Sequence, residues 1–275
     1  MIEKAYAKIN ISLNIIGKRA DGYHELDMIM VPISLYDTVY MNKAEEMSFE
    51  SNTSLGWNEG NLMYRAVELM KKRFDLKSCY RVKLMKRIPE QAGMAGGSAD
   101  CAAVLRLINR LEKLNLTDEQ LAEIGVSLGA DVPFCVHQKP ARVQGIGEKI
   151  RLLGEHDRYD VIIVKPSEGV STGRAFALAD SSEGEHPDMD KVEECYLKQE
   201  GLEKVMGNTL QKPAISLVPV IGEIIDEART AGFDKVLMTG SGSAVFMLIN
   251  GNENVRKMMH HYQKKYDFVT KCHII

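Results

Sequence analysis

Between Ala5 and Ile15 the chain alternates without a break. Ala5, Ala7, Ile9, Ile11, Leu13 and Ile15 fall on one side, and Tyr6, Lys8, Asn10, Ser12 and Asn14 on the other. Period two predicts a strand with one face in the core. Arg19-Ala-Asp-Gly22 supplies a turn after it. Further strand-like runs cover Ile29–Met41, Met47–Ser51 and Cys79–Arg87, with a helical pattern over Leu62–Phe74. The glycine-rich segment Pro89–Asp100 leads into Cys101, Val104, Leu105, Ile108 and Leu111, which repeat at helical spacing from a start near Ser98. Thr117-Asp-Glu-Gln120 reads as a capping box opening a helix to about Leu128. Gly129-Ala-Asp-Val-Pro133 ends it, because the residue before a proline is biased out of the helical region.

A change of composition over Leu153–Arg158 reads as a boundary between domains at 1–155 and 156–275. Beyond it the pattern predicts a short buried strand over Tyr159–Val164 and helices around Thr172–Ala179 and Lys191–Lys198. A longer helix over Pro213–Ala231 would be kinked by Pro219. Strands over Asp234–Met238 and Ala244–Ile249 flank a second glycine run, Thr239-Gly-Ser-Gly-Ser243. A helix over Glu253–Tyr266 and a strand over Phe268–Ile275 follow. Ser181–Asp190 is polar and reads as a surface loop. Strands and helices mix without regular βαβ alternation, which favours an α+β fold over a doubly wound parallel sheet.

Composition narrows the function classes. Apolar residues at 45 % and charged residues at 27 % match an ordinary soluble globular protein, and 275 residues suffice for a core without disulfides or metals. A net charge of −3 provides no global basic field for nucleic acid or an anionic membrane, though a local basic pocket stays open. The five cysteines are scattered with no C-x-x-C pair, which argues against a zinc site or disulfide framework and for a reducing cytoplasm. Met1–Gly17 carries Glu3, Lys4 and Lys8 and lacks the apolar core of a secretion signal. Val236–Ile249, the longest apolar stretch, is broken by glycines and falls short of the ~20 residues that span a bilayer. The expectation is a cytoplasmic protein, monomer or homodimer, with no nucleic-acid or membrane partner.

Four features could carry chemistry. The first is the run Pro89, Glu90, Gln91, Ala92, Gly93, Met94, Ala95, Gly96, Gly97, Ser98 and Ala99. Glycines let backbone N–H groups converge on an anion, and the helix opening there adds free N–H groups and its positive dipole end. The run matches neither the P-loop nor the dinucleotide motif, and a tight strand-to-helix turn would need the same glycines. The second is Gly240, Ser241 and Gly242, which would let the backbone approach another loop or a ligand, or would simply make a hairpin. The third is Lys8, on the polar strand face with Asn10, a face that could equally be a solvent-exposed edge. The fourth is Asp131, in a turn where aspartate commonly caps its own backbone.

Taken together and in this order, Ala5-Tyr-Ala-Lys-Ile-Asn10, Arg19-Ala-Asp-Gly-Tyr-His24, Pro89–Ser98, Leu128-Gly-Ala-Asp-Val-Pro133 and Thr239–Ser243 resemble the GHMP kinase superfamily. The resemblance spans nearly the whole chain and weakens over Glu183–Gly207. It implies a two-domain α+β fold with the active site in the inter-domain cleft, and ATP with Mg²⁺ as cofactors. The Arg-Ala-Asp-Gly-Tyr-His segment implies the branch that phosphorylates the 2-hydroxyl of a cytidine diphosphate-linked methylerythritol. Asp131 would be the general base. Lys8 would hold Asp131 ionised and orient the hydroxyl, and Asn10 would position the substrate. Tyr23 would stack on the cytosine, His24 would read the base edge, and Phe176 would supply the opposite stacking face. The superfamily's usual second serine after Gly97 is Ala99 here, which removes a hydroxyl, so Ser98 is not assigned to the metal; its usual leucine is Met94, a near-isosteric change. Two other readings share the scaffold: a GHMP kinase for a different alcohol or a phosphorylated acid, and a silent ligand-binding protein. The latter would tolerate loss of Lys8 and Asp131, and both are present. An RNA-binding reading lacks the basic stripe with interleaved aromatics that it needs.

Overall fold

The computed structural model describes residues 1–154, 159–181, 184–249 and 254–275. By internal contacts the chain separates into two compact units that interleave along the sequence. Met1–Ala7, Leu35–Ile88 and Ala95–Gln138 form the first, and Lys8–Ser34, Pro89–Met94 and Lys139–Ile275 the second. The single boundary expected at 155/156 lies outside the described residues.

Strands β1 (Ile2–Lys18) and β2 (His24–Ala44) contribute residues to both units. The first unit also holds β3 (Ser48–Ser51), α1 (Leu62–Phe74), β4 (Cys79–Met85), α2 (Gly96–Glu112), α3 (Asp118–Val126) and α4 (Val132–His137). Here β4 pairs antiparallel with β2 from Thr38↔Met85 to Ala44↔Cys79, and parallel with β3. Val39, Met41, Val82 and Leu84 point from this ladder into a core shared with Met63, Val67 and Met70 of α1 and Val104 and Ile108 of α2. Local chemistry fixes the helix ends. Asn61 Oδ1 accepts from Met63 N at 2.9 Å at the head of α1, and the Thr117–Gln120 capping box forms as read.

Two boundaries differ from the sequence reading. Helix α2 begins at Gly96, ahead of Ser98. Val132 is helical rather than expelled by Pro133, because the proline falls in the first turn of α4, where its missing N–H has no intrahelical acceptor to serve.

The second unit contains β5 (Ala141–Gly145), β6 (Lys149–Leu152), β7 (Asp160–Lys165), α5 (Thr172–Ala179), α6 (Met189–Lys198), α7 (Gln211–Leu217), α8 (Val220–Thr230), β8 (Val236–Met238), β9 (Val245–Ile249), α9 (Val255–Gln263) and β10 (Phe268–His273). The β5–β6 hairpin, absent from the sequence reading, pairs with β2 over Leu26–Met30. An antiparallel sheet runs in the order β10-β7-β9-β8. The helix expected over Pro213–Ala231 is two helices, not one kinked helix. Val218, ahead of Pro219, is driven to φ −139° and ψ 83°, which breaks the hydrogen-bond ladder. The polar stretch read as a loop over Ser181–Asp190 stops short of its expected end, because Asp188 caps α6 and Met189 and Asp190 are already helical; positions 182 and 183 lie outside the described residues.

Candidate active site

The polar face of β1 is not a solvent edge. Lys8, Asn10 and Ser12 are 3 %, 1 % and 0 % exposed. Groups buried this deeply need partners, and each has one. Lys8 Nζ donates to Asn10 Oδ1 and to the Gly93 carbonyl, both at 2.7 Å. Asn10 N donates to Thr239 Oγ1 at 3.0 Å, and Ser12 Oγ donates to the Gly207 carbonyl at 2.6 Å. Two neutral oxygens thus take two of the three hydrogens that an ammonium carries. The third suits an anionic or polarised oxygen on a ligand.

The two glycine runs meet in the second unit. Gly93 adopts φ +70°, and a Cβ there would lie 2.1 Å from the Thr239 carbonyl oxygen. At Gly240, with φ +56°, a Cβ would lie 2.7 Å from the Gly93 oxygen and 3.1 Å from Lys8 Nζ. Ser243 N and Ala244 N donate across to the carbonyls of Gln91 and Ala92 at 3.2 and 3.3 Å. Thr239–Ser243 therefore turns the hairpin from β8 to β9 and also packs backbone to backbone against Gly93. Ser241 Oγ meets Thr172 Oγ1 at 2.8 Å. Buried Asn208 buttresses the turn, donating through Nδ2 to the carbonyls of Met238 at 2.8 Å and Gly240 at 2.9 Å. Sequence reasoning missed Asn208, because the contact spans about thirty residues and leaves no local pattern.

In the first unit the run continues into α2. Ala95 stands at the N-cap in the left-handed region, φ +56°, and contributes no side-chain cap. The N–H groups of Gly96, Gly97 and Ser98 are left without intrahelical acceptors at the positive end of a 17-residue helix. Ala99 is buried, so its methyl takes a packed position rather than one facing a ligand.

Beneath this helix end lies a buried charge network. Lys86 Nζ bonds Asp37 Oδ2 at 2.5 Å and Asp100 Oδ2 at 2.9 Å. Asp37 Oδ1 accepts from Ile88 N at 2.9 Å and from Arg87 N. The network joins the strand before the glycine run to the helix after it. Asp100 Oδ1 has no partner among the described residues. Burial pushes the Asp100 carboxyl up to about 7, with Lys86 opposing and Asp37 reinforcing the shift. Burial works against the charge on Lys86, but the two aspartates outweigh it and hold the amine above its ordinary range.

Asp131 occupies the N-cap position of α4, yet its side chain makes no cap hydrogen bond, which rules out the turn-capping reading. Its half-buried carboxylate accepts no hydrogen bond among the described residues. The turn bearing it neighbours the head of α2, since a Cβ on Gly129 would lie 3.9 Å from Ser98 Oγ.

The turn after β1 is braced from within. Arg19 N donates to the Tyr23 carbonyl at 2.8 Å, and Asp21 Oδ1 accepts from Tyr23 N at 3.1 Å. Tyr23 is presented 61 % exposed. The His24 ring stacks on Phe176 of α5, with centroids 4.6 Å apart and planes 24° apart. His24 Nε2 bonds Asp180 Oδ1 at 2.6 Å, and Lys18 Nζ bonds Asp180 Oδ2 at 2.6 Å. Asp180 is a second residue that sequence reasoning missed.

Family models for the GHMP kinases N terminal domain and the GHMP kinases C terminal match residues 61–139 and 196–267. A crystal structure of 4-(cytidine 5'-diphospho)-2C-methyl-D-erythritol kinase is similar at a TM-score of 0.85 and 30 % identity, over 100 % of this chain and 99 % of that one. The 4-diphosphocytidyl-2-C-methyl-D-erythritol kinase of Bacillus pumilus is 40 % identical over 94 % of this chain and 91 % of its own length. That of Bacillus velezensis is 38 % identical over the same shares. The chain belongs to the 4-diphosphocytidyl-2-C-methyl-D-erythritol kinase family, within the GHMP kinases.

This membership makes the chain an ATP-dependent small-molecule kinase on the α+β GHMP fold, as the motifs led one to expect. Of the residues that the resemblance to GHMP kinases picks out, Lys8, Asn10, Tyr23, His24, Phe176, the run Pro89–Met94 and Gly240–Gly242 lie in the second unit. Ala95–Ala99 and Asp131 lie in the first. Among the described residues no helix is long and apolar enough to cross a membrane.

Proposed function

We propose that this kinase transfers the γ-phosphoryl group of ATP to the 2-hydroxyl of 4-diphosphocytidyl-2-C-methyl-D-erythritol, the kinase step of the methylerythritol phosphate route to isoprenoids. The observation that carries this choice of substrate is the aromatic group beside the Arg19–His24 turn. An exposed Tyr23, and a His24 ring stacked on Phe176 at 4.6 Å, suit a flat heterocyclic base. A kinase for a small aliphatic alcohol has no use for them.

In this reading the substrate hydroxyl oxygen attacks the γ-phosphorus and the bond to the ADP oxygen breaks. The hydroxyl proton passes to Asp131, whose carboxylate is uncommitted to its own helix. Backbone N–H groups at the head of α2 receive phosphate oxygens. Lys8 donates its remaining hydrogen to an oxygen of the reacting groups, and Asn10 holds the lysine in line. Phosphoryl transfer asks chiefly for such positioning and charge neutralisation. Among the described residues no three histidine, cysteine or carboxylate side chains converge on a metal-sized site. Mg²⁺ bound with the triphosphate would neutralise charge on its phosphate oxygens.

The test is product analysis. Phosphorus–proton correlation NMR of the product should place the new phosphate on the 2-oxygen of the erythritol unit. A phosphate on another hydroxyl, or none, would refute the proposal.

A further inference from the structure

Asp180 lies outside every motif read from the sequence, yet it joins the turn after β1 to α5. It stands at the C-terminal cap of that helix, the end where the dipole disfavours negative charge. Two groups compensate it, Lys18 Nζ on Oδ2 and His24 Nε2 on Oδ1, each at 2.6 Å. A carboxylate only accepts, so Nε2 carries the hydrogen, and in the neutral ring Nδ1 keeps the lone pair. Among the described residues Nδ1 bonds to nothing. Phe176 sits four residues before Asp180 and so on the same helix face. Helix α5 and its cap thus hold one imidazole twice, by its face through Phe176 and by its edge through Asp180.

We propose that Asp180 is a positioning residue for the nucleobase end of the substrate site, fixing the plane and tautomer of His24. The inference rests on the cytidyl-substrate reading above. An acceptor at Nδ1 matches a base edge that offers an N–H donor, such as the amino group of cytosine. It is mismatched with the carbonyl that uracil offers at that place. The device therefore favours an aminopyrimidine nucleotide over its oxo counterpart.

The experiment compares the wild-type chain with Asp180→Ala and Asp180→Asn. Losing a charge-assisted hydrogen bond of this kind should raise KM for the cytidyl substrate about tenfold or more in Asp180→Ala. Neither kcat nor KM for ATP should change by more than about twofold, since no bond made only in the transition state is lost. Asn keeps an acceptor oxygen and should recover part of the loss. Preference for the cytidyl substrate over its uridyl analogue should narrow in Asp180→Ala. Nitrogen-15 NMR of the ring, assigned with His24→Gln, should show one tautomer with hydrogen on Nε2 in the wild type and a mixture in Asp180→Ala. An unchanged KM, or an equal fall in kcat, would overturn the role. A wild type inactive on the cytidyl substrate would instead refute the substrate reading. The ring signal would then decide on Asp180 alone, and an identical signal in wild type and Asp180→Ala would end the proposal.

Discussion

A buried ammonium with two neutral partners is poor economy for stability and good preparation for an anion. Lys8 is in that position, 3 % exposed and bonded only to amide oxygens among the described residues. Its replacement should separate function from stability. Lys8→Met fills nearly the same volume and removes the buried charge, but it leaves Asn10 Oδ1 and the Gly93 carbonyl without their donor, so the melting temperature should fall only modestly. Turnover should fall about 100-fold or more as the electrostatic contact to the reacting oxygens disappears. A variant that melts much lower but stays active would mark Lys8 as structural. Asp131→Asn removes the base and keeps the shape, and should cost about 100- to 10,000-fold in kcat with ATP affinity little changed. Retention of most of the rate would void the base assignment. Gly240→Ala is a packing test. Its methyl would meet the Gly93 carbonyl at 2.7 Å in a backbone conformation that favours glycine, so a loss of about 1–3 kcal/mol should appear in chemical denaturation. No loss would mean that the two loops do not need their close approach.

Among elements, those written in local chemistry were legible. Helices α1 and α5 lie where the sequence reading puts them, and α3 starts where its capping box says. The misses have physical causes. Helix α4 has six residues and β6 four, too few for a period to register. The rule on residues before proline works at Val218, inside a helical run, and fails at Val132, where the proline opens a helix. Asp100 sits well above the usual carboxylate range, at about 7, because burial penalises its charge. The folded state then holds a proton that the unfolded chain has released. This contribution to stability is present below about pH 4 and lost as pH rises through about 7. In Asp100→Asn that loss is absent. Melting curves from pH 5 to 8 should show the variant at its greatest disadvantage at pH 5, with the gap narrowing or reversing by pH 8. Parallel curves would contradict the buried-proton account.

At the scale of the whole molecule, the motifs marked the candidate site residues but not the side chains that brace them. Lys8, Asp131 and both glycine runs stand out because each concentrates unusual residues within a few positions. Asp37, Asn208 and Asp180 do not, because each acts on a partner 30 to 156 residues away. The two units interleave along the chain, so no single change of composition could mark them. ATP consumption should be followed with Mg²⁺ and 4-diphosphocytidyl-2-C-methyl-D-erythritol, beside galactose, homoserine and mevalonate. Turnover with the cytidyl alcohol alone, abolished in Asp131→Asn, is the predicted result; turnover with another of these alcohols, or none with the cytidyl compound despite ATP binding, would contradict it.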